Sequence, residues 1–186
     1  MKKILKFILW VLIICFVVYA GKNAYDKIER QIYPQGYYQE VDKFAGEYDL
    51  DYFLVHAIIK CESGYDKNAV SSIGAKGLMQ LTDETFEWVC SKYNEPYNDP
   101  KYLFDEVQNI QAGCRLLRLL YDDFGDTKTV LAAYHAGRNI TYKWLSNKEY
   151  SADGKTLSKI PYADTAKYVE KVLKTTEKYK KIYIAE

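Results

Sequence analysis

The longest apolar stretch of the chain lies at its N-terminus, from Ile4 to Ala20, and Lys6 is its only charged residue. A helix of this length is at the short end of what can cross a bilayer. Because Lys2 and Lys3 precede it, the positive-inside rule predicts a cytoplasmic N-terminus and export of everything that follows. Residues 1–21 are therefore predicted to be a transmembrane anchor or a signal segment, and an uncleaved single-pass anchor in the cell membrane is favoured.

A secreted form is the alternative, because Val18-Tyr19-Ala20 has the small or modest residues of a signal-peptidase site. The anchor is favoured because the apolar run continues up to that site without a polar region. Cys15 follows Leu12-Ile13-Ile14, which are too bulky for a lipoprotein cleavage signal.

After the apolar stretch, residues 22–37 are polar and contain Pro34 and Gly36, a composition that predicts a stalk or short helix followed by a linker. In residues 38–186, apolar positions recur at the three- and four-residue spacing of amphipathic helices. Helices are predicted over 38–49, from an Asp51 cap to Glu62, from Thr82 or Asp83 to Cys90, from an Asp105 cap to Phe124, and over 127–136, 140–145 and 162–183. The pattern thus predicts one mainly α domain over 38–186.

Three details complete this prediction. The long helix after Asp105 should turn one apolar face inward, formed by Val107, Ile110, Cys114, Leu117 and Tyr121. The polar residues 146–158 should form a mobile loop, and at most a short hairpin is expected between Val70 and Leu81.

Composition and charge narrow the functional classes. With 186 residues, of which 48% are hydrophobic, the chain can bury one core. Without Lys2, Lys3 and Lys6, 23 of the 26 basic residues remain against 25 acidic ones, so the exported part has no excess of positive charge. Nucleic acid is therefore not an expected partner.

The cysteines and histidines suggest neither a metal site nor a cofactor. Cys61, Cys90 and Cys114 are an odd number and cannot all pair within one chain, so free buried thiols are favoured over a disulfide. No Cys/His spacing is typical of zinc, and His56 and Cys61 diverge on one helix, which argues against a Cys-His nucleophile.

Glu62 is the main candidate for chemistry. Ser63-Gly64 follows it, and glycine just past a periodic run predicts the end of a helix. The negative end of the helix dipole and burial both disfavour ionisation, so the pKa of Glu62 should rise toward the value a general acid needs near neutral pH.

Short motifs around and after Glu62 occur in a recognisable order. They are Glu62-Ser63, Gly77-Leu78-Met79-Gln80, Asn109-Ile110-Gln111-Ala112-Gly113, Ala133-Tyr134-His135-Ala136-Gly137, and Ile160-Pro161 with Asp164-Thr165 and Tyr168-Val169. From about Tyr38 to about Tyr179 the chain resembles the soluble lytic transglycosylases and goose-type lysozymes. It departs from that group at His135, where the group usually has Asn, and at Asp164, where it usually has Glu.

This resemblance implies a lysozyme-like fold, peptidoglycan glycan strands as the substrate, and Glu62 as the single acid and then base. The bond between N-acetylmuramic acid and N-acetylglucosamine would be broken by the muramoyl 6-hydroxyl, leaving a 1,6-anhydromuramoyl end. The nearby Asp66, Asp83 and Glu84 match no motif position, and this reaction needs no second carboxylate.

The resemblance also implies a set of substrate-binding residues: Ser63, Met79, Gln80, Tyr134, His135 and Tyr168. Ser63 and Gln80 would bind the sugar or organise the loop, and Met79 would supply an apolar cleft wall. The two tyrosines would orient the Glu62 carboxylate. Neutral imidazole keeps one donor and one acceptor, so His135 should be tolerated in the cleft and should make activity more sensitive to acid.

Two other functions remain open from the sequence. A goose-type lysozyme would hydrolyse the same bond and differ only in its product. A non-catalytic, membrane-tethered wall-binding or assembly protein would hold glycan without cleaving it. The sequence does not identify any envelope-spanning machinery that the protein would serve.

Overall fold

The computed structural model describes residues 2–96 and 99–184, which form eight α-helices and one 3-10 helix. The helices are α1 (Lys2–Ile32), α2 (Tyr38–Glu47), α3 (Tyr52–Glu62), α4 (Asp83–Lys92), the 3-10 helix (Pro100–Phe104), α5 (Glu106–Phe124), α6 (Thr127–Ala136), α7 (Arg138–Leu145) and α8 (Ala163–Tyr183). Within these residues, β structure is limited to two isolated antiparallel bridges, Val70 with Lys76 and Lys76 with Leu81. The predicted hairpin is reduced to this pair of bridges, and the mainly α prediction is confirmed.

Polar side chains fix where four helices begin. Asp51, Thr82, Asp105 and Asp126 each accept a hydrogen bond from a backbone N–H in the first turn of α3, α4, α5 and α6. Such caps satisfy donors that have no partner within the helix. The starts of α3, α4 and α5 therefore lie where the sequence predicted them.

The core lies between α3 and the helices around it, with α8 packed along α3. Ala57, Ile58 and Ile59 of α3 are completely buried, as are Val172 and Tyr179 of α8. Since Glu62 ends α3, the packing of this helix sets the position of that carboxylate.

The inner face of α5 differs from the prediction at both ends. Ile110, Cys114 and Leu117 are buried as expected, but Val107 is 39% exposed and Tyr121 is only partly buried. The buried side of α5 instead includes polar Asn109, which a hydrophobic pattern cannot reveal.

Asn109 is buried because it bonds the loop between α3 and α4. Its Oδ1 accepts from the Met79 N–H at 2.7 Å, and its Nδ2 donates to the carbonyls of Leu103 at 2.8 Å and Lys76 at 3.1 Å. These bonds satisfy the amide group in the interior and fix the loop to α5.

The segment from 146 to 158 is polar, but it is not a loose loop, and the prediction of a mobile loop is not supported there. Ser151 and Leu157 are buried, and the Leu157 N–H donates to Thr129 Oγ1 at 3.1 Å. Asp153 accepts from the backbone N–H groups of Lys155 and Thr156 at 2.8 Å. The segment is thus hydrogen-bonded within itself and to α6.

Helix α1 runs without a break from Lys2 to Ile32, so the predicted anchor and most of the predicted stalk form one helix. Its apolar side chains from Ile4 to Tyr19 are exposed. The helix is long and apolar enough to cross a membrane, a test that a signal sequence near an N-terminus also passes.

Candidate active site

A tight turn follows Glu62 and is built around Ser63. The Ser63 hydroxyl donates to the Ile59 carbonyl at 3.2 Å and accepts from the Tyr65 N–H at 3.1 Å. Gly64 and Tyr65 then take left-handed backbone conformations, with φ of 62° and 73°. Ser63 therefore organises the end of α3, and its contact with a sugar stays a prediction.

Glu62 is a carboxylic acid with a strongly perturbed pKa. Burial raises its pKa to about 7, while the Tyr168 hydroxyl and the Lys171 ammonium group act in the opposite direction. The predicted rise is confirmed, with loss of solvation as the main cause. A group with this pKa is partly protonated near neutral pH and can both give and take a proton.

Tyr134 and Tyr168 flank Glu62, and their hydroxyl groups are used differently. The Tyr134 hydroxyl donates to the Met79 carbonyl at 2.7 Å. The Tyr168 hydroxyl is buried and has no partner within hydrogen-bonding distance among residues 2–96 and 99–184. It nevertheless faces Glu62 closely enough to favour the carboxylate form. Burial and the Glu62 charge raise the pKa of both phenols, so both stay protonated. Tyr168 thus has a proton free to donate.

His135 supports Tyr168 from the side. The two rings stack with centroids 4.4 Å apart, and His135 Nδ1 lies 3.1 Å from Thr165 Oγ1. Desolvation lowers the pKa of His135 while the nearby Asp164 carboxylate raises it, and the net direction is downward. The side chain of His135 is exposed and is therefore accessible to a ligand. Its contact with a sugar and its effect on the acid sensitivity of the activity stay predictions.

Met79 corrects the prediction of an apolar cleft wall. Its side chain is completely buried and packs on Gly113, where an added Cβ would lie 2.2 Å from Met79 Sδ. Because the side chain points into the core, it has no surface to offer a sugar. What Met79 contributes toward the site is its carbonyl, which holds the Tyr134 hydroxyl.

Gln80 organises the same loop. Its backbone has φ of 49°, and its side-chain Nε2 donates to the carbonyls of Gly77 at 2.9 Å and Ala69 at 3.2 Å. Contact of its remaining amide oxygen with a sugar stays a prediction.

A groove of about 390 Å³ opens beside Tyr134. Its lining also includes Glu84 and Trp88 of α4, and Arg138 and Asn139 at the start of α7. The Arg138 guanidinium lies over the Trp88 ring, 5.8 Å from its centroid. Sequence reasoning missed this wall, although Arg138 and Asn139 directly follow the Ala133–Gly137 motif.

Arg138 is held in place by Asp123 through an ion pair that also includes a 3.1 Å hydrogen bond from Nη2 to Oδ1. The groove therefore combines an aromatic side chain with a fixed cation and one side-chain amide, a lining suited to sugar rings and their polar substituents.

The other acidic residues near the motifs have separate environments. Asp66 accepts from the Asn68 N–H in its own turn, Asp83 pairs with Lys76, and Glu84 lines the groove. Within the residues that the structure describes, no three or more His, Cys, Asp or Glu side chains form a group able to hold a metal ion.

Lys171 is a second neighbour of Glu62 that the motifs did not indicate. Its Nζ donates to the Cys61 carbonyl at 3.2 Å, at the carbonyl end of α3. It is one of many lysines in the chain, and only packing of α8 on α3 distinguishes it.

Comparison with known proteins agrees with this arrangement. The family model for the transglycosylase SLT domain matches residues 40–157. The soluble lytic murein transglycosylase of Escherichia coli is 30% identical over 157 residues, which cover 83% of this chain and 24% of that protein. The membrane-bound lytic murein transglycosylase C of Histophilus somni is 30% identical over 123 residues, which cover 61% of this chain and 34% of that protein.

A solved structure shows the same fold. The crystal structure of the 70 kDa soluble lytic transglycosylase from Escherichia coli superposes with a TM-score of 0.73 at 28% identity, covering 82% of this chain and 25% of that one. The chain thus spans about a quarter of the length of the soluble relatives it matches.

Proposed function

The chain belongs to the transglycosylase SLT domain family, and on this ground we propose that it is a peptidoglycan lytic transglycosylase. It would cleave the β-1,4 bond between N-acetylmuramic acid and N-acetylglucosamine. Its mainly α fold is lysozyme-like, as the resemblance implied. The observation that carries the proposal is Glu62 at the end of α3, with a pKa raised to about 7 between two tyrosines.

The reaction needs one group that first gives and then takes a proton. Protonated Glu62 donates to the glycosidic oxygen, and the bond from that oxygen to the muramoyl anomeric carbon breaks. The muramoyl 6-hydroxyl attacks the same carbon, and the Glu62 carboxylate accepts its proton. The products are a free 4-hydroxyl on one sugar and a 1,6-anhydro ring on the other, and Glu62 ends protonated again. An intramolecular nucleophile needs neither an activated water nor a second carboxylate.

Tyr168 suits the second half of this cycle. Its unused hydroxyl can donate to the Glu62 carboxylate when the proton has left, which stabilises the charged form in a buried site. Tyr134 cannot do this with the same proton, because it bonds to the Met79 carbonyl.

The groove beside Tyr134 is the proposed path of the glycan strand. Trp88 contributes an aromatic side chain to the groove wall, while Arg138 and Asn139 offer donors to acetamido, hydroxyl and carboxylate groups. Tyr134 lies both in the lining of this groove and near Glu62, which supports a glycan path that runs beside the acid.

We further propose that α1 anchors the enzyme in the cell membrane with the domain on the extracytoplasmic side. The length and composition of α1 support an anchor, and Lys2 and Lys3 support this orientation. One of the relatives is itself named as membrane-bound. Secretion after signal cleavage is the alternative, and which envelope machinery would be a partner is open.

The test is mass spectrometry of the fragments that the purified chain releases from peptidoglycan. We expect anhydromuramoyl ends from the wild type and none from Glu62→Gln, which keeps the side-chain shape but cannot donate the same proton. Glu84→Gln is the matched control, because it removes a carboxylate from the groove and should leave the product type unchanged.

Each other outcome identifies a different function. Reducing ends that disappear in Glu62→Gln would indicate a goose-type lysozyme, and an additional requirement for Glu84 would indicate that this hydrolase uses two carboxylates. Binding of peptidoglycan without release by the wild type would indicate a wall-binding protein.

A further inference from the structure

The C-terminal part of α1 is packed against the domain. Glu29 forms an ion pair with Lys178 of α8, and the Arg30 guanidinium lies over the Tyr183 ring, 5.0 Å from its centroid. The pairing lowers the pKa of the Glu29 carboxyl, as expected for a carboxylate held by a lysine. Both contacting residues of this segment, Glu29 and Arg30, lie in the last turn of α1.

The residues that follow α1 are also held by α8. The Tyr183 hydroxyl donates to the Tyr33 carbonyl at 2.8 Å, and the Tyr179 hydroxyl donates to the Pro34 carbonyl at 2.9 Å. The Tyr33 and Tyr179 rings meet edge to face, with centroids 5.7 Å apart. Tyr179 is completely buried, so the segment 33–34 is bonded to a core residue.

The same cluster extends to the helix that carries Glu62. Tyr65 lies just after α3, and its hydroxyl is 2.9 Å from the Tyr179 hydroxyl and 2.7 Å from His56 Nδ1 in α3. Gly36 lies against Tyr65, since a Cβ there would be 3.0 Å from that ring. The connection from α1 to the domain is therefore fixed to both α8 and α3, the helices nearest the candidate acid.

The dimensions place the domain close to the membrane. The apolar part of α1, from Ile4 to Ala20, has a length of about 25 Å, and from Ala20 to Glu29 the helix rises only about 14 Å. Headgroups occupy about 5 to 7 Å of that distance on each side of a bilayer. A compact domain of this size is about 40 Å across. A cleft fixed to such a helix cannot reach beyond about 60 Å from the hydrocarbon core.

We propose that α1 and the domain form one rigid unit through these contacts, and that the unit directs the cleft to glycan lying at the membrane surface. This inference rests on the proposed function and names the substrate more closely: strands next to the bilayer, not the distant layers of the wall. The segment 22–37 then acts as a spacer of fixed length, and its helical part to Ile32 agrees with the short helix that is one of the two expectations for it.

The first test measures rigidity without any substrate. Spin labels are introduced as non-native amino acids at Asn23 of α1 and Ser91 of α4, both exposed, in the full chain in lipid nanodiscs. We expect one narrow distance distribution. Insertion of ten Gly and Ser residues between Ile32 and Tyr33 should broaden it, whereas the same insertion ahead of Lys2 should not. A wild-type distribution as broad as that of the junction insertion would overturn the proposal.

The second test measures substrate choice. The full chain in vesicles is given glycan strands anchored by a lipid in the same vesicles or the same strands free in solution. We expect the wild type to prefer anchored strands, and the junction insertion to reduce the ratio of the two rates about threefold or more, because a longer tether lowers the effective concentration. The rate on free strands should not change.

An unchanged ratio would refute the membrane-surface substrate even if the distances were narrow. Failure of the proposed function has a different signature: the wild type would cleave neither substrate, or Glu62→Gln would cleave both. In that case the proposal of a membrane-surface substrate fails together with the proposed function. The distance measurement still shows whether α1 is packed rigidly against the domain.

Discussion

The pKa of Glu62 depends on its burial, which favours the neutral acid, and on two neighbours that favour the carboxylate. Tyr168 acts through its hydroxyl, and Lys171 acts through its charge. The Lys171 ammonium group also bonds to the Cys61 carbonyl, so it lies where the dipole of α3 is negative. This geometry suits a positioning residue that balances the two protonation states of the acid.

We predict that Lys171→Met moves the pH profile of kcat/KM. In the proposed mechanism Glu62 acts first as an acid, so kcat/KM should fall as pH rises above its pKa of about 7. Loss of the Lys171 charge raises that pKa, and the alkaline limb should shift upward by about half a unit to one unit. The measurement is kcat/KM on soluble glycan strands from pH 5 to 9.

Lys174→Met is the control for this experiment. Lys174 lies on the same helix and pairs with Glu170, both at the surface. Its profile should match the wild type. Equal shifts in both variants, or a shift in neither, would exclude a specific effect of Lys171 on Glu62.

At the scale of elements, the loop between α3 and α4 is shaped by contacts with α5 and the 3-10 helix. Gly77 has φ of 75°, and a Cβ there would lie 2.1 Å from the Leu103 carbonyl oxygen and 2.3 Å from Asn109 Nδ2. Gly74 has φ of 81°, but a Cβ there would meet no atom within 4 Å. Both glycines have a positive φ of similar size, and they differ in the atoms that surround them.

We therefore predict different costs for the two alanine variants. Gly74→Ala should destabilise by about 1 kcal/mol, the strain of the left-handed conformation alone. Gly77→Ala should lower the free energy of unfolding by about 3 kcal/mol or more, because the Leu103 backbone and the buried Asn109 amide must also move. Thermal melting of the full chain in detergent compares them. Equal melting temperatures would show that the close approach at Gly77 does not matter.

At the scale of the whole molecule, the pKa shifts of two residues have opposite effects on stability as pH changes. Burial lowers the pKa of His56 to about 4 and raises that of Glu62 from 4.5 to about 7. A histidine whose pKa is lowered by folding reduces the stability of the folded chain as pH falls from 6.5 through 4, since the unfolded chain takes up the proton first. A carboxyl group whose pKa is raised by folding reduces the stability of the folded chain as pH rises from 4.5 through 7, since the unfolded chain loses the proton first.

We predict that Glu62→Gln stabilises the folded chain on the alkaline side only. The free energy of unfolding should rise by about 1 to 3 kcal/mol at pH 8, because each unit of pKa difference corresponds to about 1.4 kcal/mol and Glu62 is not fully buried. At pH 4 the gain should nearly vanish, and the acid-side loss due to His56 should remain. Denaturant titrations at the two pH values measure this. A gain that is larger at pH 4 would contradict the assigned pKa.

Local interactions explain why much of this molecule could be predicted from the sequence. The caps Asp51, Thr82 and Asp105 bond backbone groups two or three residues away. The apolar residues of α3 indicate from the sequence alone that this helix is buried. The position of Glu62 at the end of α3 and the helical fold follow from such short-range features.

Contacts between distant parts of the chain account for what the sequence could not supply. Met79 is buried because Gly113 leaves room for its sulfur, and the polar side chain of Asn109 is buried because it bonds a distant loop. Lys171 reaches the carbonyl before Glu62 only because α8 packs along α3. The docking of α1 likewise depends on hydrogen bonds between residues that are 145 or more positions apart. A periodic pattern records which faces are apolar, but which side chain meets which depends on how the helices pack.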